Sequence, residues 1–176
     1  MRALRQLAAG FGRGVDPCAM RVVQAKTAED WADAERLIRA YLAGLPFEVD
    51  FQDVDSEMAD LSSMYGLPDG ALLLVRGEDD VAVGVVGVRR FAEGDAELKR
   101  MYLVPEARGS GLGRALAEVA VTAARSLGYR RLLLDTVASL TAAIAIYDRL
   151  GFVEIDAYRH NPFEDARYFA LDLQPG

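Results

Sequence analysis

An α/β fold, with a mixed, mostly antiparallel twisted sheet carrying helices on both faces, is the class this sequence predicts. Short apolar runs rich in β-branched residues alternate with longer stretches at helical spacing, which places helices between strands. In mid-chain and again near the end, strand-like runs follow one another directly, as hairpins do, so much of the sheet pairs antiparallel. At 176 residues and 52% apolar composition, one domain with a buried core is expected.

The first nineteen positions are expected to form a poorly ordered extension, with the single domain over 20–176. Within them Leu7-Ala8-Ala9-Gly10-Phe11 falls short of the roughly 7 to 15 apolar residues of a secretory signal. The first strand is Arg21 to Ala25. Thr27 caps a helix with Glu29 and Asp30 in its first turn, which Gly44 and Pro46 stop near Ala43. A second helix covers Gln52 to Met64. Ala71 to Arg76 and Val81 to Arg90 are apolar runs flanking the turn Gly77-Glu78-Asp79-Asp80, a hairpin signal. Ala96 to Val104 is the fourth strand, ended by Pro105. A period of two sets Glu97, Lys99, Met101 and Leu103 on one of its faces and Leu98, Arg100, Tyr102 and Val104 on the other. Leu112, Ala115, Leu116, Val119, Ala123 and Leu127 define the next helix. A strand over Arg131 to Thr136, a helix from about Thr141 to Leu150, and strands Phe152 to Arg159 and Arg167 to Leu173 complete the chain.

The net charge of −7 repels a polyanion, so nucleic acid is not an expected partner. A cationic small molecule or a basic peptide is the more natural one. No apolar run approaches the roughly 20 residues that span a bilayer, so no membrane partner is expected. A single cysteine, Cys18, forms no internal disulfide and fits a cytoplasmic location. With one cysteine and one histidine, a zinc site would need carboxylates for its other ligands, and no metal is expected.

The densest chemical signal is Arg108-Gly109-Ser110-Gly111-Leu112-Gly113-Arg114, between a strand and a helix. Glycines there let the backbone approach a ligand and turn its N–H groups toward one point, and the helix start adds donors and a positive dipole end. Arg108 and Arg114 bring charge that a pyrophosphate uses. The alternative is a tight turn whose glycines serve geometry alone. A nucleotide P-loop requires Gly-Lys-Ser/Thr where Arg114-Ala115 stand, so that class is excluded. A dinucleotide fingerprint would find its ribose-binding acid in Asp135. Its glycine spacing does not match, however, and no second βαβ half follows.

Leu98 to Pro105 followed by Arg108 to Gly113 resembles the fourth strand and the R-G-x-G-x-G/A pyrophosphate loop of the GNAT acetyltransferases. Ala142 to Phe152, with Tyr147 four residues before Gly151-Phe152, resembles that family's last helix. The resemblance implies a GNAT-like fold with a splayed pair of strands, the fourth and fifth, and acetyl-CoA as co-substrate. Backbone groups of Met101, Tyr102 and Leu103 would pair with the pantetheine arm, and the segment from Arg108 through Gly109, Ser110, Gly111, Leu112 and Gly113 to Arg114 would hold the pyrophosphate. Many relatives carry an asparagine seven residues before the tyrosine; here Leu140 stands there, beside Ser139.

Transfer to an amine needs a base for the ammonium proton and an acid for the leaving thiolate. The resemblance makes Glu97 the base candidate and Tyr147 the acid. On spacing alone Glu97 reads equally as a salt-bridged carboxylate, and Tyr147 as a core tyrosine. The acceptor pocket implied by the family draws on Phe47, Phe51, His160 and Asn161, where aromatics beside carboxylates suit a cation with apolar bulk. The expected function is N-acetyl transfer to a primary amine of a small molecule or peptide, by direct attack in a ternary complex. A non-catalytic acetyl-CoA-binding regulatory module is the alternative. Exposed final strands pair across dimers in this family, which makes a homodimer the assembly the resemblance suggests.

Overall fold

A computed structural model describes residues 20–45, 52–77 and 79–173. The expected extension over residues 1–19, with Cys18, lies outside the described residues, as do Phe47 and Phe51. Strand β1 (Arg21–Gln24) leads into helices α1 (Ala28–Ala43), α2 (Gln52–Ala59) and α3 (Leu61–Tyr65). Strands β2 (Ala71–Arg76), β3 (Ala82–Ala92) and β4 (Asp95–Leu103) follow, then α4 (Leu112–Ser126), β5 (Arg131–Val137) and α5 (Thr141–Arg149). The short β6 (Val153–Ile155) and β7 (Ala166–Asp172) end the order. No helix among the described residues is long and apolar enough to cross a membrane.

The strands form one seven-stranded sheet in the order β1-β2-β3-β4-β5-β7-β6. Every neighbouring pair is antiparallel except β4 and β5, which run parallel. Helices cover both faces, as expected. On one face α1 presses Ala34, Leu37 and Ile38 onto Leu72, Leu74 and Val85, with α3 contributing Leu61 and Tyr65. On the other, α4 and α5 set Leu116, Ala120, Ile144 and Tyr147 against Leu73, Val75, Val86 and Leu134. Strand β2 thus feeds its alternate residues to two separate cores, which is why it reads as an unbroken apolar run.

Local chemistry explains most of the boundaries. At the start of α1 the Thr27 hydroxyl accepts from the Asp30 N–H at 3.1 Å, and Asp30 accepts from the Thr27 N–H at 3.0 Å, a reciprocal cap. The helix expected over Gln52 to Met64 is divided. Asp60 leaves helical geometry (φ −146°) and its carboxylate accepts from the Ser63 N–H, capping a new helix, α3. The strand expected over Phe152 to Arg159 shortens to Val153–Ile155, and Tyr158 and Arg159 beyond it reach instead toward a buried carboxylate.

A larger departure lies in β4. Two of its residues, Arg100 and Met101, face the single Val86 of β3, because the register runs from Tyr102–Val85 to Lys99–Gly87. Arg100 adopts φ +58°, the left-handed region that a bulge of this kind uses. The extra residue reverses the parity of the strand. Leu98 packs on the α4 face, and so do Met101 and Leu103, while Tyr102 packs on the α1 face. The sequence pattern had grouped Glu97 with Met101 and Leu103; the bulge separates them.

Candidate active site

The parallel pair defines the site. β4 and β5 are in register only at Asp95–Arg131, Ala96–Leu132 and Glu97–Leu133, and beyond that they part. The closed end is clamped by Arg131, which donates twice to Asp95 at 2.9 and 2.6 Å. The open end is a cleft of about 670 Å³, walled by Lys99 to Leu103 on one side and by Asp135, Thr136 and Val137 on the other. A strand edge without a neighbour offers backbone donors and acceptors to any extended chain that enters.

The glycine-rich turn follows directly on Arg108, which lines the cleft. Gly109 and Gly111 hold φ +76° and +83°, conformations that side chains resist, and a Cβ at Gly109 would meet nothing within 4 Å. The space above this turn is open. Gly111 caps α4 without any side-chain bond, and the first helical donor is Ala115, to the Gly111 carbonyl at 3.2 Å. The N–H groups of Leu112, Gly113 and Arg114 therefore have no acceptor within the helix, and no acidic residue occupies its first turn. Such a turn fits a pyrophosphate. Gly113 has a different task, since a Cβ there would come within 3.2 Å of Ile146 Cδ1 and hold α4 off α5. The Ser110 hydroxyl donates to the Ala107 carbonyl at 2.8 Å and braces the turn. Arg108 donates to the Leu103 carbonyl at 3.1 Å, lies over the Tyr102 ring and lines the cleft, whereas Arg114 pairs with Glu118 along the helix.

Deeper in, the walls carry charge. Lys99 Nζ lies 3.0 Å from Asp135 Oδ1, and Asn161 Nδ2 donates to Asp135 Oδ2 at 2.9 Å. Burial works to raise the Asp135 pKa, but Lys99, Arg159 and the hydrogen bonds hold it below the usual carboxylate range. Arg100 donates twice to Glu57, which also accepts from the Tyr65 hydroxyl at 2.6 Å. Glu97 does not line the cleft. It is fully buried, accepts from Arg89, Arg159 and Tyr158 at 2.8 to 3.0 Å, and has Lys99 at 3.8 Å. Burial alone would raise its pKa; the cations of Lys99, Arg89 and Arg159 pull it below the ordinary value. Its geometry is that of an ionic anchor tying β3, β4 and the segment after β6 together.

Tyr147 lines the cleft from α5 while its ring packs against Phe152 and Phe169 at 5.6 and 6.4 Å. Burial, then the neighbouring Tyr41 and Asp135, push its phenol above the ordinary value. Ser139 and Leu140 line the cleft as well. Of the acceptor candidates, Asn161 is in the wall and His160 is exposed outside it. Sequence reasoning had passed over Tyr41 and Lys99 as site residues, and had weighed Asp135 only for a ribose. Tyr41 comes from a distant helix, and nothing local marks it; the acid at the end of a buried strand was the one available signal for Asp135.

The chain is similar to known proteins in both sequence and fold. The Acetyltransferase (GNAT) family description matches residues 29–152. An N-acetyltransferase of Schizosaccharomyces pombe, itself uncharacterised, is 34% identical over 158 residues, spanning 89% of this chain and 97% of its own. Among solved structures, an assigned acyl-CoA N-acyltransferase from Klebsiella pneumoniae superposes with a TM-score of 0.68 at 27% identity, covering 88% of this chain and 98% of that one. An assigned acetyltransferase from Salmonella typhimurium, solved with acetyl-CoA, superposes with a TM-score of 0.66 at 20% identity, covering 90% and 96%.

Proposed function

The chain belongs to the GNAT acetyltransferase family and is an acyltransferase that uses acetyl-CoA; from that premise we propose that it acetylates a primary amine of a small molecule or peptide by direct attack in a ternary complex. One observation carries the reading. Arg108 at the head of the phosphate-shaped turn, the unpaired edge of β4 and Tyr147 all line a single cleft, which supports direct attack without a relay.

Acetyl-CoA supplies the acetyl group as a thioester. Backbone groups of Met101, Tyr102 and Leu103 would hold its pantetheine arm, and the turn from Arg108 to Arg114 its pyrophosphate. Tyr147 is the acid in this reading. Its raised pKa keeps the proton on Oη at rest, ready for the departing thiolate. The amine's proton is a separate matter, because the carboxylates in and behind the wall are all held below their ordinary values. We assign Glu97 to positioning: it fixes Arg89, Arg159 and Tyr158 around the site, and the cleft takes up the neutral fraction of the amine.

Calorimetric titration with acetyl-CoA, with NAD and ATP as comparators on the same sample, tests the reading. Binding of the CoA species alone is the expected result. A folded sample that binds none would return the glycine turn to a structural role.

A further inference from the structure

The charges facing the cleft are unequal in sign. Among the described lining residues Lys99, Arg100 and Arg108 bring three cations, against the single carboxylate of Asp135. Arg108 stands beside the turn that suits a pyrophosphate, while Lys99 and Arg100 line the cleft together with Tyr41 and Tyr147. The other counter-charges lie behind the wall. Glu57 and Glu97 are 3% and 0% exposed, and neither lines the cleft. Arg100 is held from behind by Glu57, and Lys99 bridges Asp135 and Glu97. Arg100 thus has its anion behind the wall, whereas Lys99 is shared between Glu97 behind it and Asp135 beside it in the wall, and Asp135 also accepts from Asn161.

A purely cationic acceptor in that space would compete with Lys99 for Asp135, the single carboxylate among the described lining residues, and would find Arg100 in the same wall. A neutral-tailed amine would strip water from Lys99 and Arg100 and return nothing. A molecule carrying an ammonium and a carboxylate a few bonds apart satisfies both signs. Resting on the acetyl-transfer reading above, we propose that the acceptor is an amino carboxylate, its amine end received near Asp135 and its carboxylate near Lys99 and Arg100. This reverses the expectation from composition, in which an acidic chain selects a cation: the chain carries a net charge of −7, while the described cleft lining holds three cations and one carboxylate.

The test compares amino acids with their α-amides and with the amines left by removing the carboxyl group, on the full chain at saturating acetyl-CoA. Release of CoA thiol and product mass are the readouts, and acetyl-CoA binding is measured on the same preparation. The amino acids are expected to exceed the matching amides in kcat/KM by about tenfold or more, the size of one charge-assisted hydrogen bond. Lys99→Gln should shrink that ratio by about as much, and Lys99→Arg should keep most of it. Equal or faster turnover of the amides, or acetyl-CoA binding with no amino carboxylate acetylated, overturns the proposal and leaves acetyl transfer standing. A folded protein that binds no acetyl-CoA overturns both.

Discussion

Tyr147 carries two duties at once, a core side chain on one flank and a cleft side chain on the other, and substitution separates them. Tyr147→Phe keeps the ring contacts with Phe152 and Phe169 and removes only Oη. Turnover should fall about tenfold or more with acetyl-CoA affinity unchanged, by steady-state kinetics beside calorimetry; full turnover in the variant would remove the acid assignment. The carboxylates make a second prediction. With Glu57, Glu97 and Asp135 all held below the ordinary range, none of these carboxylates in or behind the wall has the raised pKa of a group waiting to take the amine proton. Log kcat/KM should therefore climb with near-unit slope toward the acceptor's own ammonium pKa, roughly 8 to 10 by amine class. A plateau reached near pH 6 or 7 would point to a protein base. At this scale the sequence was legible where geometry is local: the left-handed turn at Gly109 and Gly111 follows from the glycines themselves, whereas Tyr147 was singled out only through the family resemblance. It was illegible at Glu97, whose four partners come from β3, β4 and the segment after β6, so that the difference between base and anchor lies wholly in the fold.

Elements are joined by a chain of contacts that begins at a residue with no side chain. A Cβ at Gly87 would come within 2.3 Å of the Tyr65 ring; its absence lets α3 settle on β3. Tyr65 then donates to Glu57, Glu57 grips Arg100, and Arg100 is held in the left-handed conformation that makes the bulge. An arginine there costs about 1–2 kcal/mol, which the bidentate pair and the buried phenol offset. Gly87→Ala should displace Tyr65 and lower stability by about 1–3 kcal/mol in urea denaturation. Acceptor kinetics should suffer as well, because Arg100 loses its hold. An unchanged midpoint would show that α3 moves freely over the strand. At the start of α4, Gly111→Glu should abolish acetyl-CoA binding by placing bulk and negative charge among the free N–H groups. Gly111→Asn tolerates the left-handed region and is the folding control. A folded Gly111→Glu protein with normal affinity would refute the phosphate role. The helices and most strands were readable from periodicity and caps, whereas the bulge was not, since the Tyr65–Glu57–Arg100 relay spans segments far apart in the chain.

For the molecule as a whole, ionised carboxylates are structural members. The backbone N–H groups of Thr27 and Lys26, and then Arg76, hold Asp30 well below its ordinary pKa, Arg131 does the same for Asp95, and Glu57, Glu97 and Asp135 follow despite burial. As pH falls the unfolded chain takes up protons first, near pH 4, so stability is complete above about pH 5 and drains as pH drops toward the folded-state values. Scanning calorimetry should find a nearly level Tm from pH 7 to 5 and a steep decline below 4; a level Tm down to pH 3 would contradict the network. The parting of β4 from β5 has a last consequence. A β-sheet normally leaves its unsatisfied backbone groups at its outer margins, where they invite another chain to add on and start aggregation. Here the outer margins are the four residues of β1 and the three of β6, while a long unpaired stretch faces inward. Enclosed between two walls, that stretch is closed to a second sheet and open to a single slender chain, so the molecule keeps a reactive ladder without the hazard of an exposed one.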